Sequence, residues 1–195
     1  MTGIILAGGQ SKRMGQDKAF LTINGVTFID HILKVFRSVF EQIIIISNTP
    51  EKYRYANEIV IEDILPEKGP MGGLYTGLYV AKYDRNFVAA CDMPFISKQL
   101  VEYLIGIQNF DAVVPYVNGR YQPLFAVYAK KCAPLIKIQL DSGNLRISDL
   151  FHTIDMKVLN EDELLVFDRN LLSFYNANTP DDYNAIARMA GLGLS

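Results

Sequence analysis

The chain has 195 residues, of which 50% are hydrophobic and 21% are charged, with a formal net charge of −2. This length suits one sizeable α/β domain, and the composition is typical of a globular protein rather than a disordered one. The charge balance gives no long-range attraction to nucleic acid or anionic membrane, and no window approaches the roughly 18 apolar residues of a spanning helix. Its two cysteines, Cys91 and Cys132, fit no metal or redox spacing, so we expect a reducing, cytoplasmic location.

The first predicted element is a buried parallel strand at residues 3–6, and a polar loop follows it directly. The loop, LAGGQSKRMGQDK at residues 6–18, contains Gly8 and Gly9 together with the cations Arg13 and Lys18. Glycines let a backbone curve around a ligand with its N–H groups pointing inward, and nearby cations reinforce the binding of an anion. The spacing matches neither the Walker A loop nor the dinucleotide fingerprint, but the loop still predicts a phosphate site.

Short apolar runs and amphipathic helical segments alternate through the rest of the chain. In order, the pattern predicts a helix at 27–40, strands at 43–46 and 59–61, a helix at 69–83, a strand at 86–91, a helix at 98–107, strands at 111–115 and 123–129 on either side of an Asn118-Gly119 turn, a short helix near 148, an outer strand at 153–159, and a last helix capped by Thr179. This alternation predicts a three-layer α/β/α sandwich with a mostly parallel, Rossmann-like sheet.

Carboxylates follow two of the predicted strands, where open α/β sheets collect their ligands. Asp63 comes shortly after the strand at 59–61, and Asp92 ends the strand at 86–91 before Pro94 turns the chain. A lone carboxylate at a strand end is costly to bury without a partner, and Mg²⁺ is the natural partner in a protein that handles triphosphates. The structural alternative is that Asp92 caps the helix that begins near Ser97.

The loop at residues 6–18 resembles, at every fixed position, the signature L-A-G-G-x-S-x-R-M-G-x-D-K of the molybdenum cofactor guanylyltransferase family. Three further segments are similar to motifs of that family, namely GPMGG at 69–73, DMP at 92–94 and NANTPD at 176–181. The resemblance covers nearly the whole chain and implies a fold of the nucleotide-diphospho-sugar transferase type. It further implies a single domain at residues 1–195, in which the N-terminal half binds GTP and the C-terminal half binds molybdopterin.

The resemblance also implies roles for individual residues. Asp63 would accept hydrogen bonds from the N1–H and 2-amino group of guanine, and Asp92 would hold Mg²⁺. The implied catalytic residues are Arg13, Lys18 and Asp92, the implied nucleotide-binding residues are Leu6, Ala7, Gly8, Gly9, Lys18, Asp63 and Asp92, and the implied acceptor-binding residues are Gln122, Asn176 and Asn178. Some family members carry a histidine where this chain has Gln122, so no acid or base is assigned there.

The implied activity is transfer of GMP from GTP to molybdopterin with release of pyrophosphate. GTP and molybdopterin would be the partners, transient contact with molybdoenzymes or other cofactor-synthesis proteins is compatible with this role, and neither nucleic acid nor membrane is expected. Two alternatives stay open: a cytidylyl- or other nucleotidyltransferase acting on a different phosphate acceptor, and a non-catalytic nucleotide-binding adaptor for cofactor delivery. Arg13, Lys18 and Asp92 together favour an enzyme, because an adaptor would not need all three.

Overall fold

The computed structural model describes residues 1–7 and 17–191. Gly8, Gly9 and Arg13, which the sequence predicts to bind phosphate, lie outside the described residues. The described strands, in chain order, are β1 (Thr2–Leu6), β2 (Thr22–Ile23), β3 (Val26–Thr27), β4 (Gln42–Ile46), β5 (Ile59–Ile61), β6 (Arg85–Ala90), β7 (Ala112–Val117), β8 (Arg120–Tyr121), β9 (Phe125–Ala129) and β10 (Met156–Leu159).

Eight of these strands form one central sheet in the described part of the chain. Seven follow the order β10-β7-β9-β6-β1-β4-β5, and β8 pairs with β7, whereas β2 and β3 make a separate two-stranded ribbon. The strands β6, β1, β4 and β5 are parallel neighbours, and β10 is parallel to β7. Within this central sheet, as far as the described residues show, only β9 and the short β8 run antiparallel to their partners.

Helices cover both faces of this sheet. They are α1 (Phe28–Val39), α2 (Gly69–Val80), α3 (Lys98–Gly106), α4 (Cys132–Asp141), α5 (Ile147–Leu150), α6 (Glu161–Leu165) and α7 (Pro180–Gly191). Side chains alternate along β1, so that Ile5 packs with α1 and α3 while Ile4 and Leu6 pack with α2 and α4. The predicted three-layer α/β/α sandwich is therefore confirmed.

Glycines in α2 bring this helix unusually close to the sheet. A Cβ at Gly77 would lie 2.6 Å from Cγ2 of Ile4, so only glycine fits between α2 and β1 at this point. At the start of the helix, Gly69 has a φ of +59°, which residues other than glycine rarely adopt. A Cβ at Gly73 would lie 3.4 Å from Leu6, the last residue of β1, so the first half of α2 lies against the carboxyl edge of the sheet.

The predicted elements agree with the structure within a few residues at their ends. Thr27 caps α1, because its Oγ1 accepts a hydrogen bond from the backbone N–H of Asp30 at 3.2 Å. Asn118 and Gly119 form the predicted turn with φ values of 52° and 72°, and β10 is an outer strand. Within residues 1–7 and 17–191, no helix has both the length and the apolar character needed to cross a bilayer.

Candidate active site

The parallel strands β5, β4, β1 and β6 end in register and form one edge of the sheet. Leu6 pairs with Ile46 on β4 and with Ala90 on β6, and each of these three residues is the last of its strand. Asp63 follows β5 at one end of this edge, and Asp92 follows β6 at the other. The two carboxylates thus flank the end of β1, which leads into the predicted phosphate loop.

Lys18, Asp92 and Asn178 meet at the β6 end of the edge. The Nζ atom of Lys18 lies 3.2 Å from Oδ2 of Asp92 and 2.6 Å from Oδ1 of Asn178, and it donates a hydrogen bond to each. The side chains of Lys18 and Asp92 are 18% and 16% exposed, so their ion pair is only partly screened by water. Lys18 opens a single helical turn, which Asp17 caps by accepting from the N–H of Ala19.

The closing motif NANTPD lies against the loop that follows β6. The N–H of Ala177 donates to the carbonyl of Asp92 at 3.2 Å, which fixes the segment that carries Asn178. Thr179 and Asp182 form a reciprocal cap at the start of α7, since each accepts from the other's backbone N–H. Oδ1 of Asn176 is buried and has no hydrogen-bond partner among the described residues. In this motif, Thr179 has a structural role as a helix cap, whereas Asn178 contacts Lys18 of the site.

The structural alternative for Asp92, a cap on α3, does not hold. Ser97 is the N-cap residue of that helix, and its Oγ accepts from the N–H of Leu100 at 3.3 Å. Ser173 supports this loop from the C-terminal side, because its Oγ donates to the carbonyl of Phe95 and accepts from the N–H of Ser97. Asp92 therefore remains available at the sheet edge.

The surroundings of Asp92 fit a magnesium ion that is shared with phosphate. Its Oδ2 pairs with Lys18, and its Oδ1 accepts no hydrogen bond from the described residues. Nowhere in residues 1–7 and 17–191 do three or more His, Cys, Asp or Glu side chains gather in a group that could hold a metal. A carboxylate oxygen that accepts nothing from the described residues suits Mg²⁺, which commonly takes one or two carboxylates and completes its shell with phosphate oxygens and water.

A small pocket lies at the opposite, β5 end of the edge. It is lined by Leu6, Ile46, Ser47, Asn48, Asp63, Gly69, Pro70 and Gly73. Oδ1 of Asp63 accepts a hydrogen bond from Oγ1 of Thr76 at 2.7 Å and another from the N–H of Leu65 at 3.1 Å. The family resemblance implied a role for Asp63. It gave no sign of Thr76, which lies among apolar residues within α2.

Buried groups beneath the edge support the end of β1. The hydroxyl of Tyr53 donates to the carbonyl of Ala7 at 3.5 Å, and burial raises the pKa of this phenol well above its usual value, which keeps it neutral. The N–H of Cys91 donates to the carbonyl of Leu6, and burial likewise raises the pKa of its thiol. The predicted nucleotide-binding residues Leu6 and Ala7 are thus held by Cys91, which follows β6, and by Tyr53, which lies between β4 and β5.

A separate, open cleft of about 520 Å³ lies beside β9 and the start of α2. Its lining is Pro70, Arg120, Tyr121, Pro123, Leu124, Leu145, Arg146, Ile147 and Ser148. The carbonyl of Leu124 accepts from the N–H of Ala90, the last residue of β6, so the cleft adjoins the strand that precedes Asp92. Gln122 is not among the lining residues, and its amide donates to the carbonyl of Val117 at 3.5 Å.

The structure therefore brings together most, but not all, of the predicted site residues. Leu6, Ala7, Lys18, Asp63 and Asp92 lie along one edge, and Asn178 joins them through Lys18. Among the described residues, no hydrogen bond links Gln122 to Asn176 or Asn178. The binding and catalytic roles assigned to these residues stay predictions.

The fold and this edge define an α/β protein of the doubly wound kind, with a small pocket and a lysine–carboxylate pair at the strand ends where such sheets bind nucleotides. The chain belongs to the MobA-like NTP transferase family, because the model of the MobA-like NTP transferase domain matches residues 3–155. This finding confirms the family that the sequence motifs predicted.

Individual relatives agree with this assignment. The chain is 35% identical to a protein of Natranaerobius thermophilus named "Probable molybdenum cofactor guanylyltransferase", with 98% of this chain and 97% of that protein covered. It is 34% identical to the "Molybdenum cofactor guanylyltransferase" of Desulfosudis oleivorans, with 93% and 92% covered. Among solved structures, molybdopterin-guanine dinucleotide biosynthesis protein A from Archaeoglobus fulgidus is similar with a TM-score of 0.86 and 25% identity, covering 98% of this chain and 100% of that one.

Proposed function

We propose that this protein is a Mg²⁺-dependent guanylyltransferase that moves GMP from GTP to the phosphate of molybdopterin and releases pyrophosphate. The two relatives described above are named as molybdenum cofactor guanylyltransferases, one of them as probable, and are covered over nearly their whole length. The observation in the structure that supports the proposal most directly is the contact of Lys18 with Asp92 at the carboxyl edge. It joins a cation from the predicted phosphate loop to a carboxylate suited to a metal.

The nucleotide would lie across the strand ends, with its base in the pocket beside Asp63. Guanine presents two donors, N1–H and the 2-amino group, to a carboxylate that accepts hydrogen bonds. Adenine lacks this pair of donors, so an acceptor at this position favours guanine. From this pocket, the edge leads past Leu6 and Ala7 to Lys18 and Asp92, which gives the triphosphate a direct path toward the phosphate loop.

The phosphates would lie at the β6 end of the edge. Lys18 would donate to phosphate oxygens and neutralise the charge that builds up on the α-phosphate and on the leaving pyrophosphate. When bound at Asp92, Mg²⁺ would supply Lewis-acid stabilisation of the same charge. The N–H of Ala177 and the carboxamide of Asn178 keep Asp92 and Lys18 in position, so these residues would contribute orientation rather than covalent chemistry.

The acceptor would enter from the open cleft beside β9. Tyr121 offers an aromatic surface for a flat ring system, and Arg120 and Arg146 offer positive charge for a phosphate. The acceptor's phosphate would attack the α-phosphorus of GTP in line, forming one P–O bond as the bond to pyrophosphate breaks. A phosphate is already ionised near neutral pH, so the reaction needs no strong general base from the protein.

The cellular setting is part of the same proposal. Cys91 and Cys132 are both free thiols and both buried, which supports residence in the reducing cytoplasm. Transient contact with molybdoenzymes or with other cofactor-synthesis proteins would deliver the product after transfer.

Pyrophosphate release by the purified protein tests the proposal. The assay contains Mg²⁺ and molybdopterin with GTP, CTP, ATP or UTP in turn, and a parallel series omits molybdopterin. We expect release with GTP that depends on the acceptor. Release with CTP instead would favour the cytidylyltransferase alternative. No pyrophosphate release with any of the four nucleotides would favour another acceptor or the non-catalytic adaptor.

A further inference from the structure

Thr76 makes two partly buried hydrogen bonds behind the proposed base pocket. Its side chain is fully buried in α2, and its Oγ1 lies 2.7 Å from Oδ1 of Asp63 and 3.1 Å from the backbone nitrogen of Ile64. The N–H of Ile64 can only donate, so the hydroxyl accepts there and gives its single hydrogen to Asp63. The direction of both hydrogen bonds is therefore fixed by chemistry.

One oxygen of Asp63 is fully engaged by the protein. Besides the hydroxyl of Thr76, the N–H of Leu65 donates to Oδ1 at 3.1 Å, whereas Oδ2 accepts no hydrogen bond from the described residues. A Cβ at Gly72 would lie 2.9 Å from Oδ2 and equally close to the carbonyl of Leu65, so glycine is needed to leave space for this oxygen. Gly72 and Thr76 are one helical turn apart and act on the same carboxylate.

We infer that Thr76 is a positioning residue for nucleobase selection. Together with the N–H of Leu65, it holds Oδ1 of Asp63 toward the protein and leaves Oδ2 as an acceptor for the base. This inference rests on the proposed function, because it takes the pocket at Asp63 to be the site that binds guanine. Bases that present a donor, such as the 2-amino group of guanine, are favoured at Oδ2, and bases that present a lone pair there are repelled.

Inosine triphosphate separates this role from a purely structural one. It has the same ring system, N1–H and phosphates as GTP but lacks the 2-amino group, so it donates one hydrogen bond fewer to Asp63. Its affinity should therefore depend less on the position of Oδ2 than the affinity of GTP does. Loss of the positioning residue should therefore weaken GTP binding selectively. A general loosening of the fold should instead weaken both nucleotides to the same extent.

Calorimetric dissociation constants for GTP and inosine triphosphate would test the inference in the wild type, Thr76→Val and Thr76→Ser. Thr2→Val is a matched control, because Thr2 is also fully buried and its hydroxyl donates to Gln42, at the opposite end of β1. We expect Thr76→Val to weaken GTP binding by about tenfold and inosine triphosphate binding by less than about threefold. Thr76→Ser keeps the hydroxyl and should bind GTP within about twofold of the wild type, as should Thr2→Val.

Several results would overturn the inference. These are wild-type GTP binding in Thr76→Val, equal losses for the two nucleotides, or a Thr76→Ser variant as impaired as Thr76→Val. If thermal unfolding shows that Thr76→Val does not fold, Thr76→Ala takes its place with the same expected losses. Equal affinity of the wild type for the two nucleotides would also overturn the inference, since it would mean that Oδ2 does not select the 2-amino group. Acceptor-dependent turnover is measured in parallel: selective GTP binding without turnover would reject the proposed function and leave the inference intact.

Discussion

The ammonium group of Lys18 lies 3.2 Å from Oδ2 of Asp92, across 74 positions of sequence. The contact joins the segment after β1 to the end of β6, two strands that are direct neighbours in the sheet. It therefore depends on the parallel pairing of these strands, and it places a cation and a carboxylate where a triphosphate and its metal would meet. Four predictions follow from this arrangement and from the burial around it.

Replacing Lys18 should impair catalysis and leave the fold intact. We expect Lys18→Ala to lower kcat by about tenfold or more, because a charge-assisted hydrogen bond to the reacting phosphates would be lost. Lys137→Ala is the matched control, since Lys137 lies on α4 and pairs with Asp141 at the surface. Steady-state pyrophosphate release measures the effect, and wild-type turnover in Lys18→Ala would remove this residue from the mechanism.

Neutralising Asp92 should change the requirement for magnesium. In Asp92→Asn, we expect the Mg²⁺ concentration for half-maximal activity to rise by about tenfold or more, because an amide is a weaker ligand than a carboxylate. Chelation with EDTA should abolish wild-type turnover, and added Mg²⁺ should restore it. The exposed Asp141→Asn serves as control. An unchanged Mg²⁺ titration curve in Asp92→Asn would show that Asp92 is not a metal ligand.

The role of Asn178 can be separated kinetically. Its Oδ1 accepts from Lys18 at 2.6 Å, so we expect Asn178→Ala to lower kcat by about threefold to tenfold through displacement of Lys18. The sequence instead predicted contact with the acceptor, which would raise KM for molybdopterin and leave kcat unchanged. Measuring both parameters distinguishes the two roles. A change confined to KM would support the acceptor role and reject the positioning of Lys18.

Both thiols should resist alkylation in the native protein. Burial raises the pKa of Cys132 to about 12 and raises that of Cys91 further, so that at about pH 8 almost no thiolate is present at either site. We expect slow labelling by a thiol reagent at about pH 8, a rate that increases with pH, and reaction of both cysteines in denaturant. Rapid labelling of the folded protein at that pH would contradict the buried positions of these residues.

The elements that sequence analysis predicted well are those with strong local signals. The uninterrupted isoleucines of β4 indicate a buried strand, and Asn118-Gly119 indicates a hairpin turn. Helix α4 was not predicted, because its N-cap position holds Lys131 instead of the Ser, Thr, Asp or Asn that marks a helix start in a sequence. The two-residue strands β2 and β3 are likewise too short to produce a periodic pattern.

The composition of the candidate site was only partly predictable for a related reason. Motifs named Lys18, Asp92 and Asn178 separately, but 160 positions separate Lys18 from Asn178, and only the folded sheet shows that they touch. The sequence does not indicate a functional role for Thr76, because a threonine within an apolar helix is common in protein cores. Its role depends on which face of α2 contacts Asp63, and that is determined by how α2 packs against the sheet.

The fate of the α-phosphate of GTP tests the central claim most directly. The protein is incubated with Mg²⁺, molybdopterin and GTP that is radiolabelled at either the α- or the γ-phosphate, and the pterin product is separated from pyrophosphate. We predict that the α-label appears in the pterin dinucleotide and the γ-label in pyrophosphate. Transfer of the γ-label to the pterin, or no transfer of the α-label by folded protein, would contradict guanylyl transfer.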